Sequence, residues 1–363
     1  MTKRIYTIPV EQTQWKNPAA GEVVFNWEYD EGRDKLLSLY EKGKNLQWNA
    51  TDRIDWSQEV DKDDPLKTPE MYNPLYNTPI WEKLSDKMRN ETRLHTVAWQ
   101  FSQFLHGEQG ALICSAKIVE TVPDMDSKYY AATQVMDEAR HVEVYSRYLH
   151  EKLELAYPIN PHLKTLLDQT LSDNRWDFTY LGMQILIEGL ALAAFGTIRD
   201  LAQDPLGTSL NAYVMQDEAR HVAFGRFALR DYIPHLTQKE KDVREEFCVE
   251  ACYLMRDRFL AEEVWRNLDL GKEAEKAVAE SLAMKEFQKM LFSRIVPALK
   301  EIGLWGDRVQ KAFADMGVIH FASLDLDALS ESDEHKALEL DAAKKAADER
   351  IDATIAAADS ETS

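Results

Sequence analysis

The chain has 363 residues, enough for one large domain or two ordinary ones, so no metal or disulfide staple is needed for it to fold. Its 43 Lys and Arg stand against 63 Asp and Glu, a formal charge of −20. That charge repels phosphate backbones and anionic lipid heads, which excludes nucleic acid and membrane surfaces as partners. The N-terminus lacks the apolar stretch of a secretory signal, and no run of about 18 apolar residues is read as spanning a bilayer, so a soluble cytoplasmic protein is expected.

Residues 1–80 hold most of the turn signals, among them Asn17-Pro18, Asp64-Pro65, Asn73-Pro74 and Thr78-Pro79, and predict an irregular arm over the main body. From 81 to 322 the chain is rich in Ala, Leu, Glu, Gln, Met and Arg, a helix-favouring composition. Breaks near Pro123, Pro158 to Pro161, Pro205, Pro234, Gly271 and Pro297 delimit predicted helices over 84–121, 125–154, 173–203, 207–231, 239–267 and 273–296. No strand pattern interrupts them, so the fold class is all-α. Residues 323–363 are Ala-, Asp-, Glu- and Lys-rich with no aromatic residue, and predict a disordered tail or a solvated, fraying helix. Cys114, Cys248 and Cys252 form no C-x-x-C, which leaves them as small apolar residues packed in helices.

One repeat carries chemistry. Asp137-Glu138-Ala139-Arg140-His141-Val142 recurs without change as Asp217-Glu218-Ala219-Arg220-His221-Val222, and the same shift of 80 residues takes Glu108 to Glu188. Positions i and i+3 of a helix lie about 60° apart, so Glu138 projects with His141 and Glu218 with His221. Each pair offers one oxygen and one imidazole nitrogen, and a further glutamate stands 30 residues upstream in each half. Glu188 lies in an apolar helical run, and Glu108 precedes another; a lone charge there would cost several kcal/mol, on the order of the penalty for burying an unpaired ion. Four carboxylates and two histidines are the ligand set of ferritin-like di-iron and di-manganese bundles, and hard oxygens with one imidazole per ion favour iron or manganese. The expected metal ligands are therefore Glu108, Glu138, His141, Glu188, Glu218 and His221, with Glu138 and Glu218 as the natural bridges.

Asp137 and Asp217 sit on the flank of the ligand face, where each can accept the outer N–H of the histidine in the other half. Arg140 and Arg220 point roughly away from that face, either to hold these aspartates or to form surface ion pairs. Within one or two turns of the ligands, Leu112, Ser115, Gln134, Gln184, Leu192, Phe195, Val214 and Gly225 are expected to face inward and line a partly apolar substrate pocket.

With these residues in place, the sequence resembles the ferritin-like di-iron oxygenase and oxidase superfamily, including multicomponent monooxygenase hydroxylase subunits, acyl-carrier-protein desaturases and the radical-bearing small subunit of ribonucleotide reductase. The resemblance covers about Trp81 to Tyr232, and more loosely Trp48-Asn49-Ala50-Thr51-Asp52 with Arg53-Ile54-Asp55-Trp56. It implies a ferritin-like four-helix bundle with flanking helices. It also implies that Glu108, Glu138 and His141 serve one ion, and Glu188, Glu218 and His221 the other. The implied cofactor is two irons, or manganese with iron. The implied activity is O₂-dependent oxidation of a C–H or N–H bond of a small organic substrate, with electrons from a ferredoxin or flavin reductase, by a homodimer. The alternative it allows is a radical-generating reductase subunit. Tyr145 stands where that subunit carries its radical tyrosine, and is a redox relay, a hydrogen-bond donor or core packing. Two departures stand out. Leu192 replaces the threonine that many monooxygenases place there, and Val214 replaces the additional histidine of arylamine N-oxygenases.

Overall fold

A computed structural model of the chain describes residues 5–6, 8–18, 22–29 and 32–361. Its described residues form helices and no strand. Four long helices make the central bundle: α2 (Asp86–Thr121), α3 (Met125–Arg147), α5 (Trp176–Leu201) and α6 (Pro205–Tyr232). Their starts follow from local chemistry. Ser85, Asp124 and Asp204 each cap a helix by accepting a backbone N–H from Met88, Ser127 and Gly207, and Pro205 supplies a first residue that needs no donor. Short links force α2 back along α3, and α5 back along α6, so each half of the repeat is an antiparallel helix pair.

Two of these helices contain π-helical turns. One, Tyr148–Leu153, ends α3, and the other, Leu181–Ile187, lies directly ahead of Glu188 in α5. Helix α5 is by length and composition apolar enough to cross a membrane, contrary to the reading that no such run exists, yet most of it is buried within the bundle. A helix surrounded by other helices is largely apolar all round, and from Leu181 to Ile198 this one carries only Gln184, Glu188 and Thr197 as polar side chains.

The flanking elements depart from the sequence reading in four places. The arm is not wholly irregular: α1 (Asp34–Asn45) packs across α3 and α6. Gly43 permits that approach, because a Cβ there would stand 3.0 Å from Thr133 Oγ1. Residues 1–4, 7, 19–21, 30 and 31 of the arm lie outside the described residues. A helix at Pro161–Ser172 (α4), started by the Asn160 cap, fills a segment read as a break. The helix expected over 239–267 is α7 (Gln238–Arg258) and α8 (Glu262–Asn267), interrupted where Ala261 takes a left-handed φ of 51°. No glycine or proline marks that interruption; the Trp265 indole, donating to Leu260 O at 2.8 Å, fixes it through packing. Likewise 273–296 divides into α9 (Gly271–Glu280) and α10 (Leu282–Met290), with α11 (Ile295–Glu301) and α12 (Asp307–Asp315) beyond.

The tail corrects the sequence most. Residues Leu326–Glu361 form one helix, α13, and its first half docks on α6. Leu326, Asp333 and Ala337 are buried. Asp333 bridges two buried arginines, Arg199 at 2.8 Å and Arg294 at 2.7 Å, while Asp341 meets Arg53 of the arm at 2.7 Å. The anchor combines these ion pairs with a few aliphatic contacts, so the lack of aromatic residues does not reveal it. All three cysteines are buried and unpaired, as small apolar residues.

Candidate di-metal centre

The four bundle helices bring the repeated residues to one point. Ligand atoms of Glu108, Glu138, His141 and Glu218 lie within 4.8 Å of one another, and so do those of Glu138, Glu188, Glu218 and His221. Glu138 and Glu218 belong to both groups, so two ions placed there would share them as bridges. His141 Nδ1 stands 3.0 Å from Glu218 Oε1, and His221 Nδ1 stands 3.0 Å from Glu138 Oε1. All six residues are buried.

Most of the atoms that converge have no other partner. His141 Nδ1, His221 Nδ1, Glu138 Oε2, Glu188 Oε2 and both oxygens of Glu218 are buried without a hydrogen-bond partner. Buried polar atoms left this way are costly, and so many in one place fit a bound cation. Charge agrees: the four glutamates match two divalent ions, while the aspartates behind them are matched by Arg140 and Arg220.

The outer nitrogens are held by crossed bonds. His141 Nε2 lies 3.1 Å from Asp217 Oδ2, and His221 Nε2 lies 3.2 Å from Asp137 Oδ2, the arrangement read from the repeat. With Nε2 bound outward, Nδ1 is the nitrogen turned to the carboxylates. Arg140 and Arg220 are not surface groups; both are buried, Arg140 joins Asp137 to Asp217 at 2.8 Å, and Arg220 bonds Asp217. The arm completes this layer. Gln47 donates to Asp137 at 2.7 Å, and the Trp48 indole donates to Asp217 at 2.8 Å. Neither was singled out as a site residue, although Trp48 opens the segment that resembled a reductase subunit.

In the metal-free protein burial raises Glu108 and Glu188 well above the usual carboxylate range, and the charge on Glu218 adds to both. Burial alone would lower the imidazoles, but Asp217 and the glutamates around His141, and Glu138 and Glu218 around His221, raise both well above their ordinary value. Metal uptake must displace these protons. Titration of the metal-free protein with ferrous ion at pH 7 is therefore expected to release protons, with affinity rising as pH rises. Calorimetry in two buffers of different ionisation enthalpy checks it, and heat independent of the buffer would contradict it.

The expected pocket residues divide between the two ends of the centre. At one end Phe101, Phe104 and Phe195 surround Tyr145, with Phe104 and Phe195 edge to face at 4.6 Å. Leu192 and Val214 are buried on the same helical stretches. Tyr145 donates to Asn211 Oδ1 at 3.2 Å, and burial, with Glu108 and Glu218 near, keeps its phenol protonated. Nothing in the sequence singled out Asn211.

The opposite end is polar. Gln134 Nε2 donates to Glu138 at 2.9 Å and to Glu188 at 2.8 Å, so this amide holds two carboxylates in place. Both polar atoms of Gln184 and the hydroxyls of Ser115, Tyr130 and Tyr180 are buried without partners. Gly225 lets Gln184 close in, since a Cβ there would meet Gln184 Cβ at 2.5 Å. Leu112 is only half-buried. None of the eight residues lines the apolar cavity of about 350 Å³ between Val97, Ile198 and Phe287, which opens beyond the aromatic end.

A four-helix bundle presenting four inward glutamates and two inward histidines defines a ferritin-like di-metal carboxylate protein. The family model described as p-aminobenzoate N-oxygenase AurF matches residues 30–303. The chain belongs to that family, and it is an O₂-dependent di-iron oxidoreductase of the oxygenase and oxidase type. No curated protein matches it. Among solved structures, a variant R2-like ligand-binding oxidase with an aerobically reconstituted Mn/Fe cofactor is 18% identical, with a TM-score of 0.50, covering 77% of this chain and 96% of that one. An aldehyde deformylating oxidase from Synechococcus is 14% identical, with a TM-score of 0.43, covering 70% of this chain and all of that one. These likenesses concern the fold.

Proposed function

We propose that Glu108, Glu138, His141, Glu188, Glu218 and His221 hold two irons, or manganese with iron, and that the enzyme oxidises an N–H or C–H bond of a small organic molecule. The observation that carries this is the pair of ligand groups sharing Glu138 and Glu218, with both histidine Nδ1 atoms otherwise unpartnered. An aromatic amine is the first substrate to test, since the family is described by one. Electrons from a ferredoxin or flavin reductase, a cytoplasmic location and a homodimer complete the reading. A radical-generating reductase subunit is the weaker alternative.

When bound, the two metals supply the electrons and the coordination positions for reducing O₂. The rest belongs to the protein. Asp137 and Asp217 fix the tautomer and direction of the imidazoles, and Gln134 restrains Glu138 and Glu188. The aromatic end excludes water around Tyr145. The unpartnered Gln184 amide and Ser115 hydroxyl give the polar end groups with which to orient a substrate. Val214, buried and apolar, adds no further ligand. The test is to load the protein anaerobically with ferrous ion, add O₂ and p-aminobenzoate with a chemical reductant, and follow O₂ uptake and hydroxylamine or nitro products by mass spectrometry. O₂ uptake that is independent of metal loading would overturn the assignment.

Tyr145→Phe keeps the ring among its aromatic neighbours and removes one hydrogen bond, so fold and metal content should survive. The reduced wild type, mixed with O₂ without substrate, is expected to show no tyrosyl signal lasting hours. The variant should accumulate oxidised side chains faster. Electron paramagnetic resonance and peptide mapping read the two outcomes, and a persistent radical in the wild type would favour the reductase-subunit alternative.

A further inference from the structure

Arg258 closes α7 and is 5% exposed, but among the described residues its guanidinium has no counter-ion. Its Nε is buried with no hydrogen-bond partner, and burial alone lowers its pKa, to about 10, so it stays charged at neutral pH. Its one close neighbour of note is the Phe259 ring, 4.7 Å away. A buried, unpaired cation costs several kcal/mol, on the order of the penalty that natural proteins avoid by pairing.

The same side chain lines a cavity of about 440 Å³ where the start of α4 meets the end of α7 and α8. The cavity's own carboxylates are already engaged. Asp257 pairs with Arg256 at 2.7 Å, and Glu262 pairs with Arg266 at 3.4 Å. Glu263 accepts from Asn160 at 2.7 Å and from Trp99 at 3.2 Å. The first turn of α4, a helix of 12 residues, opens here as well and adds the positive end of its dipole.

We propose that this cavity binds a small organic carboxylate, held by a forked pair of hydrogen bonds from Arg258. The planar guanidinium matches a carboxylate in geometry. Leu155, Ile159 and Pro161 give an apolar body something to pack on, and three neighbouring acidic groups disfavour a multiply charged phosphate. The site is separate from the proposed ligands of the metals. Its wall is nonetheless tied to α2, since Ser102 Oγ accepts from Tyr157 N at 2.9 Å and Gln103 Oε1 from Asn160 N at 2.7 Å.

The experiment titrates the metal-loaded full chain with benzoate at constant ionic strength, by calorimetry, beside Arg258→Gln and beside inorganic phosphate. A saturable benzoate site that is weakened at least tenfold in the variant is expected, distinct from any benzoate bound at the metal centre, which the variant leaves unchanged. The variant without benzoate should melt no lower than the wild type, because a buried unpaired charge has been removed. Equal benzoate affinity in both proteins, or no benzoate binding to the wild type, overturns the proposal. Phosphate binding as tightly as benzoate overturns the carboxylate class. A crystal grown with 4-iodobenzoate needs no variant: iodine between α4 and α7 supports the site, and iodine only at the metal centre overturns it.

Discussion

Replacing Glu138 or Glu218 with alanine is expected to leave one metal ion per chain or fewer, against the two proposed for the wild type. Each of these carboxylates belongs to both ligand groups, whereas Glu108 and Glu188 each belong to one. Losing a shared oxygen donor leaves both ions under-coordinated and the remaining carboxylates in mutual repulsion. Glu108→Ala and Glu188→Ala should each weaken one ion and spare the other. Elemental analysis of protein reconstituted with ferrous ion, with Mössbauer spectra to count distinct irons, separates the two patterns. Full occupancy in both bridging variants would sink the assignment of the site.

Asp333→Ala is expected to destabilise the fold by about 3–5 kcal/mol, the usual cost of breaking a buried ion pair from one side. The substitution strands the buried Arg294, which among the described residues pairs with no other carboxylate, and leaves the buried Arg199 with the exposed Asp200 alone. The aspartate's ion-pair partners are Arg199 and Arg294 and none of the proposed metal ligands, so metal content per folded chain should hold. Removing everything after residue 321 should cost at least as much. Replacing both arginines by methionine in the Asp333→Ala background should recover much of the loss, because no charge is then left buried. Denaturant midpoints of the four proteins test this, and a shift of under about 1 kcal/mol for Asp333→Ala would place the pair among weak surface bridges.

The tail also shows which kind of information a sequence holds openly. The six proposed ligands are legible because their spacing is local, i to i+3 on a helix, and because an 80-residue shift repeats it. The crossed bonds of Asp137 and Asp217 follow from the same symmetry. Gln47, Trp48 and Asn211 were not legible as site residues: Gln47 reaches its aspartate across 90 residues, Trp48 across 169 and Asn211 its tyrosine across 66, and no periodicity links them. Helix α1 does carry an apolar stripe, Leu36, Leu39 and Tyr40 at i, i+3 and i+4, but it spans only two turns and stands among the turn signals of the arm. The tail's low apolar content hides its docking, which rests on Asp333 between two distant arginines together with the buried Leu326 and Ala337. Pocket-lining was the least legible. Gln134 was read as facing a substrate, and in the structure it also braces the carboxylates.

The crossed histidine bonds have a consequence for ancestry. Each helix pair supplies an imidazole whose outer nitrogen is satisfied only by the aspartate of the other pair. A single copy of the repeat would have had to meet its twin across a two-fold axis to satisfy its own histidine. Duplication and fusion then turn an encounter between chains into a contact within one. Once fused, the two copies are free to diverge where the bonds do not cross. Tyr145 in one half and Gly225 in the other, at equivalent positions, show how far they have gone.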